Sequence, residues 1–423
     1  MADSHVEVVV QLGGEEVLAG QLWSHRRRQE SATFAYAAEF LAHPNAYALD
    51  PVLPFTSGQQ QTPAGQAIFG AFSDCAPDRW GRRLVERADR QRVRDHGGTQ
   101  RSFGEMDYLL GVRDDLRQGA LRFRDPLSGT YLADERSGIP HLLDLPVLLN
   151  AADRLERDEA NEEELQMLLR GGSSLGGARP KAHVICDDGR VAIAKFPSPR
   201  NDDWDVMRWE AVALELARDA GVTVPDWTVH AIDDKAVLIV DRFDRTHGQR
   251  IGYVSAMTML ETSDREQGSY LDIASVIESQ SPNATSDLSQ LWRRVAFSIL
   301  ISNTDDHLRN HGFLRTSTAG WSLSPAFDLN PDPGPAEKHL RTAIDYETTS
   351  ARIDVLMDVA EFFRLTTAEA TRIVSDVVNV TSGWRAIAKR NGLDRRAIDD
   401  MARAFEHDQL AAARELASST TLR

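Results

Sequence analysis

The chain opens on alternation. Val6, Val8 and Val10 share one face of an extended segment, Gly13-Gly14 supply a turn, and Val17-Leu18 begin the return, which predicts a β-hairpin. A polar, loop-rich stretch from Pro51 to Gln66 follows. The period then lengthens: DRWGRRLVERADRQRV, from Asp78 to Val93, predicts a helix that is basic on one side, and such a charge run reads first as a solvated face. Acid-rich helical material runs from Leu155 to Leu169. Between Lys181 and Asp241 the pattern returns to strands around one helix. AHVICDDGRVAIAKF reads as strand, Asp-Gly turn and strand, Trp204 to Asp219 as a helix stopped before Gly221, and KAVLIVDRF as a further strand. Beyond about Ser255 the chain is mainly helical. One late helix carries a capping box, Thr366 with Glu369, ahead of Ala370, Ile373, Val374, Val377 and Val378 on one face. A sheet-rich half followed by a helical half predicts two lobes, with a ligand expected in the cleft between them.

Composition narrows the class. With 423 residues, 42% of them hydrophobic, the chain can bury a real core and form two or three domains. It shows no N-terminal apolar h-region and no apolar run of membrane length, so a soluble, unprocessed, cytoplasmic protein with no membrane partner is expected. Two distant cysteines, Cys75 and Cys186, fit a reducing compartment and exclude a disulfide scaffold. The net charge of −16 argues against direct binding to nucleic acid. It suits a basic partner, or an anionic ligand held in a locally positive pocket. Of 48 cationic residues only five are lysines. A lysine at a special place is therefore informative, and Lys181 and Lys195 lie in one short segment.

Three stretches carry candidate chemistry. RGGSSLGGARPKA (Arg170 to Ala182) could wrap backbone N–H groups round phosphate oxygens, although it matches neither the Walker pattern nor G-x-G-x-x-G. A flexible connecting loop is the plain alternative. Lys195 closes VAIAK, which has the form of the V-A-I-K strand of protein kinases. A lysine ending an apolar strand needs partners, here expected to be an ATP phosphate and a helix carboxylate, Glu210 or Glu215. The plain alternative is a strand-end lysine whose ammonium reaches water. In SILISNTDDHLRNHGFL an apolar run breaks into acids, amides and imidazoles. Asp305 and Asn310 have the D-x-x-x-x-N spacing of the kinase catalytic loop, and Asp328 ends what reads as the second of two strands, HGFLR and WSLSPAF. Three oxygen ligands suit Mg²⁺. A competing reading makes His307 and His311, four apart on a helical face, ligands of a transition metal. His311 also reads as a structural hydrogen-bonder.

With the glycine loop, VAIAK, VDRFDR, NTDDHLRN and AFDLNP in that order, the sequence resembles the HipA family of bacterial serine/threonine kinase toxins. The hairpin and DRWGRRLVER resemble that family's first domain. The resemblance implies an α+β, protein-kinase-like two-lobed fold with an extra N-terminal β-rich subdomain and a mainly helical C-lobe. The expected division is 1–145, 146–245 and 246–423. It implies that Asp305 is the catalytic base, that Asn310 and Asp328 bind Mg²⁺, and that Lys195 meets the phosphates with Glu210 behind it. Gly176, Gly177, Ala178, Arg179, Pro180 and Lys181 would cover the phosphates, with His307 close by. Asp241, Arg242 and Phe243 would form the hinge that meets adenine, Asp241 being a shorter acid than the glutamate expected there. Ser174, or the adjacent Ser173, would be autophosphorylated. A small DNA-binding antitoxin, the route to DNA, and an aminoacyl-tRNA synthetase as substrate are the implied partners.

The expected activity is thus ATP- and Mg²⁺-dependent phosphorylation of a protein serine or threonine. A small-molecule phosphotransferase of kinase-like fold and a catalytically silent scaffold are the alternatives. Lys195, Asp305, Asn310 and Asp328 together speak against the scaffold.

Overall fold

The computed structural model describes residues 5–26, 29–133, 138–172, 177, 179–263 and 266–420. Packing divides the chain into two compact units, Met1–Asn201 with Ile239–Val254, and Asp202–Leu238 with Ser255–Arg423. This division is coarser than the three functional segments expected from the sequence.

The first unit is built on an antiparallel sheet of β1 (His5–Leu12), β2 (Glu15–Arg26), β3 (Glu30–Tyr36), β4 (Gln59–Gln61) and β5 (Leu121–Arg124), in the order β4-β3-β2-β1-β5. The predicted hairpin is β1 with β2, His5 facing Trp23 and Leu12 facing Glu15. Its register slips between Val8 and Val9. Val9 is as buried as Val8 and Val10, so both faces of the strand are covered there, which simple alternation does not foresee. Phe34, Phe72 and Phe123 meet edge to face at 5.6 and 5.9 Å within the core under this sheet. Gly20 permits the close approach of β2 to β3, since a Cβ would fall 2.2 Å from the Ala35 carbonyl oxygen.

The helix Arg79–His96 starts where Asp78 accepts the Gly81 N–H at 2.7 Å. It is less solvated than its charges suggest, because Trp80 and Leu84 are buried and the Trp80 indole donates to the Lys181 carbonyl at 3.1 Å. The acid-rich stretch is two helices, Leu145–Glu156 and Glu162–Arg170. The chain turns between them, with Asp158 at φ +64, and restarts on a capping box of Asn161 with Glu164. β6 (Lys181–Ile185) and β7 (Val191–Lys195) form the second predicted hairpin, closed through Gly189 at φ +83.

In the second unit the helix Val206–Asp219 starts on the Asp205 cap and stops at Gly221, φ +82, as predicted. Its Trp209 joins Trp384 and Phe405, which stack on each other at 4.5 Å, and this aromatic cluster fastens the helix to the C-terminal helices. Helices Tyr270–Gln280, Ala284–Leu300 and Thr367–Thr381 dominate the rest. The last begins on the Thr366–Glu369 capping box and buries Ala370, Ile373, Val374, Val377 and Val378. The strands Gly312–Ser317 and Gly320–Leu323 pair as a hairpin. Among the described residues, no helix is long and apolar enough to cross a membrane.

Candidate active site

The apolar run before NTDDHLRN is the buried end of the helix Ala284–Leu300. The helix stops because Ser302 turns left-handed, φ +54, and its hydroxyl donates to the Ala404 carbonyl at 3.0 Å. The loop that follows is therefore rooted in the core. It divides its acids by direction, Asp306 inward and Asp305 outward.

Asp306 accepts the Tyr270 phenol at 2.5 Å and the Ser298 hydroxyl at 3.2 Å, and the His311 Nε2 lies 3.1 Å away. Burial pushes its carboxyl up, but the His311 imidazole and the two hydroxyl donors outweigh this and hold it below the usual carboxylate range. Its backbone carbonyl accepts the buried Thr342 hydroxyl at 2.7 Å. Asp305 is 72% exposed. Its carbonyl accepts the His307 N–H at 2.9 Å and the Asn310 Nδ2 at 3.1 Å. With Nδ2 donated to the loop, Oδ1 is the Asn310 atom left to accept, as a hard cation requires. His307 Nδ1 is buried with no hydrogen-bond partner among the described residues.

Asp328 stands five residues beyond the end of its strand at Leu323, in irregular chain, and so does not end the strand as expected. The segment around it is stitched to the loop. The Asn330 N–H donates to Asn303 Oδ1 at 3.1 Å, the Asp332 N–H to the Ser302 carbonyl at 3.2 Å, and the Thr304 hydroxyl to Asp332 at 3.2 Å. Asp328 itself adopts φ +59, a conformation costly for a residue with a Cβ and concentrated at functional sites. His307 and His311 flank a 3₁₀ turn, Leu308–Asn310, instead of sharing a helical face, and His311 faces Asp306. They do not form a shared ligand position, and among the described residues no three His, Cys, Asp or Glu side chains gather as a metal site.

In the first unit Lys195 ends β7, half-buried and directly opposite Lys181. Like charges so placed repel. Lys181 relieves this by placing its ammonium 2.6 Å from Asp78, both side chains being almost fully buried. Its charge is therefore balanced by a carboxylate inside the fold. Pro180 accepts the Phe196 N–H at 2.9 Å, and Gly177 has φ +119. Arg179 is described, whereas Ser173, Ser174, Gly176 and Ala178 lie outside the described residues.

At the expected hinge Asp241 pairs with Arg190, and Phe243 lies 6.3 Å from Tyr253. Arg242 is turned inward, onto the carbonyls of Leu116 and Arg117 at 2.8 and 3.1 Å and onto Asp244. Its guanidinium is thus occupied, leaving only its backbone for a hinge role. Burial raises the Asp244 carboxyl, yet Arg242 and Arg245 hold it well below the usual range. Glu210 belongs to the second unit and is 2% exposed. Sequence reasoning missed Asp306 with Tyr270, Asp78 with Lys181, and Asp244 between its arginines. The signal for the first was the doubled acid at 305–306, of which only one could face out.

Residues 173–384 match the model of the HipA-like C-terminal domain, and residues 10–110 that of the HipA N-terminal domain. The chain belongs to the HipA family. The solved HipA of Shewanella oneidensis, described as a toxin–antitoxin system of HipA, HipB and operator DNA, superposes with a TM-score of 0.66 at 16% identity, covering 98% of this chain and 99% of that one. The fold is accordingly the α+β, kinase-like fold of HipA. Two curated relatives are more local. "Putative kinase Y4dM" of Sinorhizobium fredii is 27% identical over 32% of this chain, and a "Putative kinase" of Haemophilus influenzae is 25% identical over 37%. The chain spans only 36% and 52% of their respective lengths. The HipA C-terminal match contains Lys195, Glu210, Asp305, Asn310 and Asp328.

Proposed function

We propose that this HipA-family protein is an ATP- and Mg²⁺-dependent protein serine/threonine kinase. The observation that carries the reading is the loop geometry: Asp305 is presented to solvent from a backbone rooted by Asp306, and Asn310 is locked to that same backbone. In this reading Asp305 accepts the proton of the acceptor hydroxyl as it attacks the γ-phosphorus of ATP. Asn310 Oδ1 and the Asp328 carboxylate would hold Mg²⁺, which supplies charge neutralisation on the phosphates. Lys195 is the phosphate cation, and the unpartnered His307 Nδ1 is a further candidate donor. Lys181, held at its place by Asp78, would close the phosphate-covering segment that begins at Gly176.

Ser174 or Ser173 is the proposed site of autophosphorylation. An aminoacyl-tRNA synthetase is the proposed substrate, and a small DNA-binding antitoxin the proposed partner. The Shewanella complex, in which HipA is found with HipB and operator DNA, supports the latter. The test is kinetic and calorimetric. Asp305→Ala should lose about 10²-fold or more in turnover, the range of a general base, while still binding ATP. Asp328→Ala should weaken Mg²⁺-ATP binding in calorimetry. Native turnover in the first variant, or native affinity in the second, contradicts the assignment.

A further inference from the structure

Arg341 is distant from Asp305 in sequence, yet its Nε lies 3.3 Å from the Asp305 Oδ1. The side chains are 71% and 72% exposed, so water screens the pair and it adds little to stability. The backbone beneath it is fixed far more firmly. The Arg341 N–H donates to the Thr304 carbonyl at 3.2 Å, and the next residue, Thr342, donates to the Asp306 carbonyl at 2.7 Å. Ala343 then exchanges bonds with Gly268 and Tyr270, at 2.9 and 2.8 Å. The residues on either side of Asp305 are thus each tied to Arg341 or its neighbour. A guanidinium on a rigid root with a wet head is arranged to act on a ligand more than to hold the fold.

The loop itself gives a reason for such a residue. Between Asn303 and His311 there is no lysine, and the one arginine there, Arg309, lies in the 3₁₀ turn Leu308–Asn310 and is already engaged by a partner. A phosphoryl group arriving at Asp305 brings negative charge to a carboxylate, and a cation supplied from another segment would offset it.

We propose that Arg341 is a catalytic residue of phosphoryl transfer, balancing Asp305 before reaction and meeting the phosphoryl group as it moves. The inference rests on the reading of Asp305 as the base. In the step, the acceptor O–H bond breaks and its proton passes to the Asp305 carboxylate. The freed oxygen bonds to the γ-phosphorus, and the bond from that phosphorus to the bridging oxygen breaks, its electron pair leaving with ADP. As Asp305 takes the proton its hold on Arg341 fades, while charge persists on the phosphoryl oxygens. The ion pair engages Nε, and the two Nη groups offer the planar fork that matches such oxygens.

The experiment uses the full-length chain with Mg²⁺ and γ-radiolabelled ATP, counting label lost from ATP to any acceptor, protein or water. Arg341→Ala should lower kcat about 10²-fold, the cost of removing one transition-state donor, with Mg²⁺-ATP affinity and unfolding midpoint unchanged. Arg341→Lys, which keeps a charge but not the fork, should recover part of the loss. An Arg341→Ala chain that matches or outruns the wild type while Asp305→Ala is inactive overturns the proposal, since the arginine is then idle or a brake. A loss accompanied by a lowered unfolding midpoint also overturns it, as a structural role. Native turnover in Asp305→Ala sinks the base assignment instead, which keeps the two failures apart.

Discussion

Two lysines that read alike in the sequence are separated by a single acid. Lys181 and Lys195 face each other across β6 and β7, but Asp78 takes Lys181 into the interior at 2.6 Å. A buried pair of this kind is weak evidence of net stabilisation, yet breaking it is costly because one charge is left in a medium that cannot solvate it. Asp78→Asn should therefore destabilise the fold by about 3–5 kcal/mol, measured by denaturant unfolding. Asp78 also caps the helix Arg79–His96, a role asparagine keeps, so the loss would belong to the charge. A change below about 1 kcal/mol would mean that Lys181 finds another partner or releases its proton. The cap was legible beforehand, since helix capping can be read locally, whereas a pairing across a hundred positions cannot. Asp305 and Asn310 were legible because their spacing is short and their backbone is shared.

Elements with their own punctuation matched expectation closely. The Gly189 turn, the Gly221 stop and the Thr366–Glu369 box each mark a boundary through local chemistry, and the structure places boundaries there. The acid-rich stretch is helical as expected, and Asn161 with Glu164 marks where its second helix begins. The β6 strand also carries a titration. His183 is 2% exposed, with Nδ1 2.8 Å from the Gly171 carbonyl, and burial, aided by Arg242, pushes its pKa down to about 3. The unfolded chain takes up a proton here near the ordinary value of 6.5, while the folded chain resists until far lower. Stability contributed by the neutral imidazole is thus complete above pH 6.5 and is lost as pH falls towards 3. The unfolding free energy should fall by a few kcal/mol between about pH 7 and pH 4. His183→Gln should flatten that slope. An equal slope in the variant would assign the acid sensitivity elsewhere.

At the scale of the whole chain, charge is the property the sequence states most directly. The 64 acidic and 48 basic residues leave −16, and the buried arginines Arg117, Arg242 and Arg294 are turned onto carbonyls and acids inside the protein. Such cations cannot neutralise phosphates, and because acids such as Glu156, Glu210 and Asp306 are buried as well, the surface keeps the strongly acidic balance of the sequence. Non-specific association with duplex DNA depends on releasing counterions through cationic contacts, and basic DNA-binding proteins reach roughly 10⁻⁴–10⁻⁶ M by that route. The chain alone should therefore show no binding to a random duplex of about 30 base pairs at physiological salt, measured by fluorescence anisotropy up to about 100 μM protein. In the proposed assembly, DNA is reached through a basic partner whose charge complements this acidic surface. Micromolar binding by the isolated chain, weakening steeply with added salt, would instead locate a cationic face on the protein itself and remove the need for an intermediary.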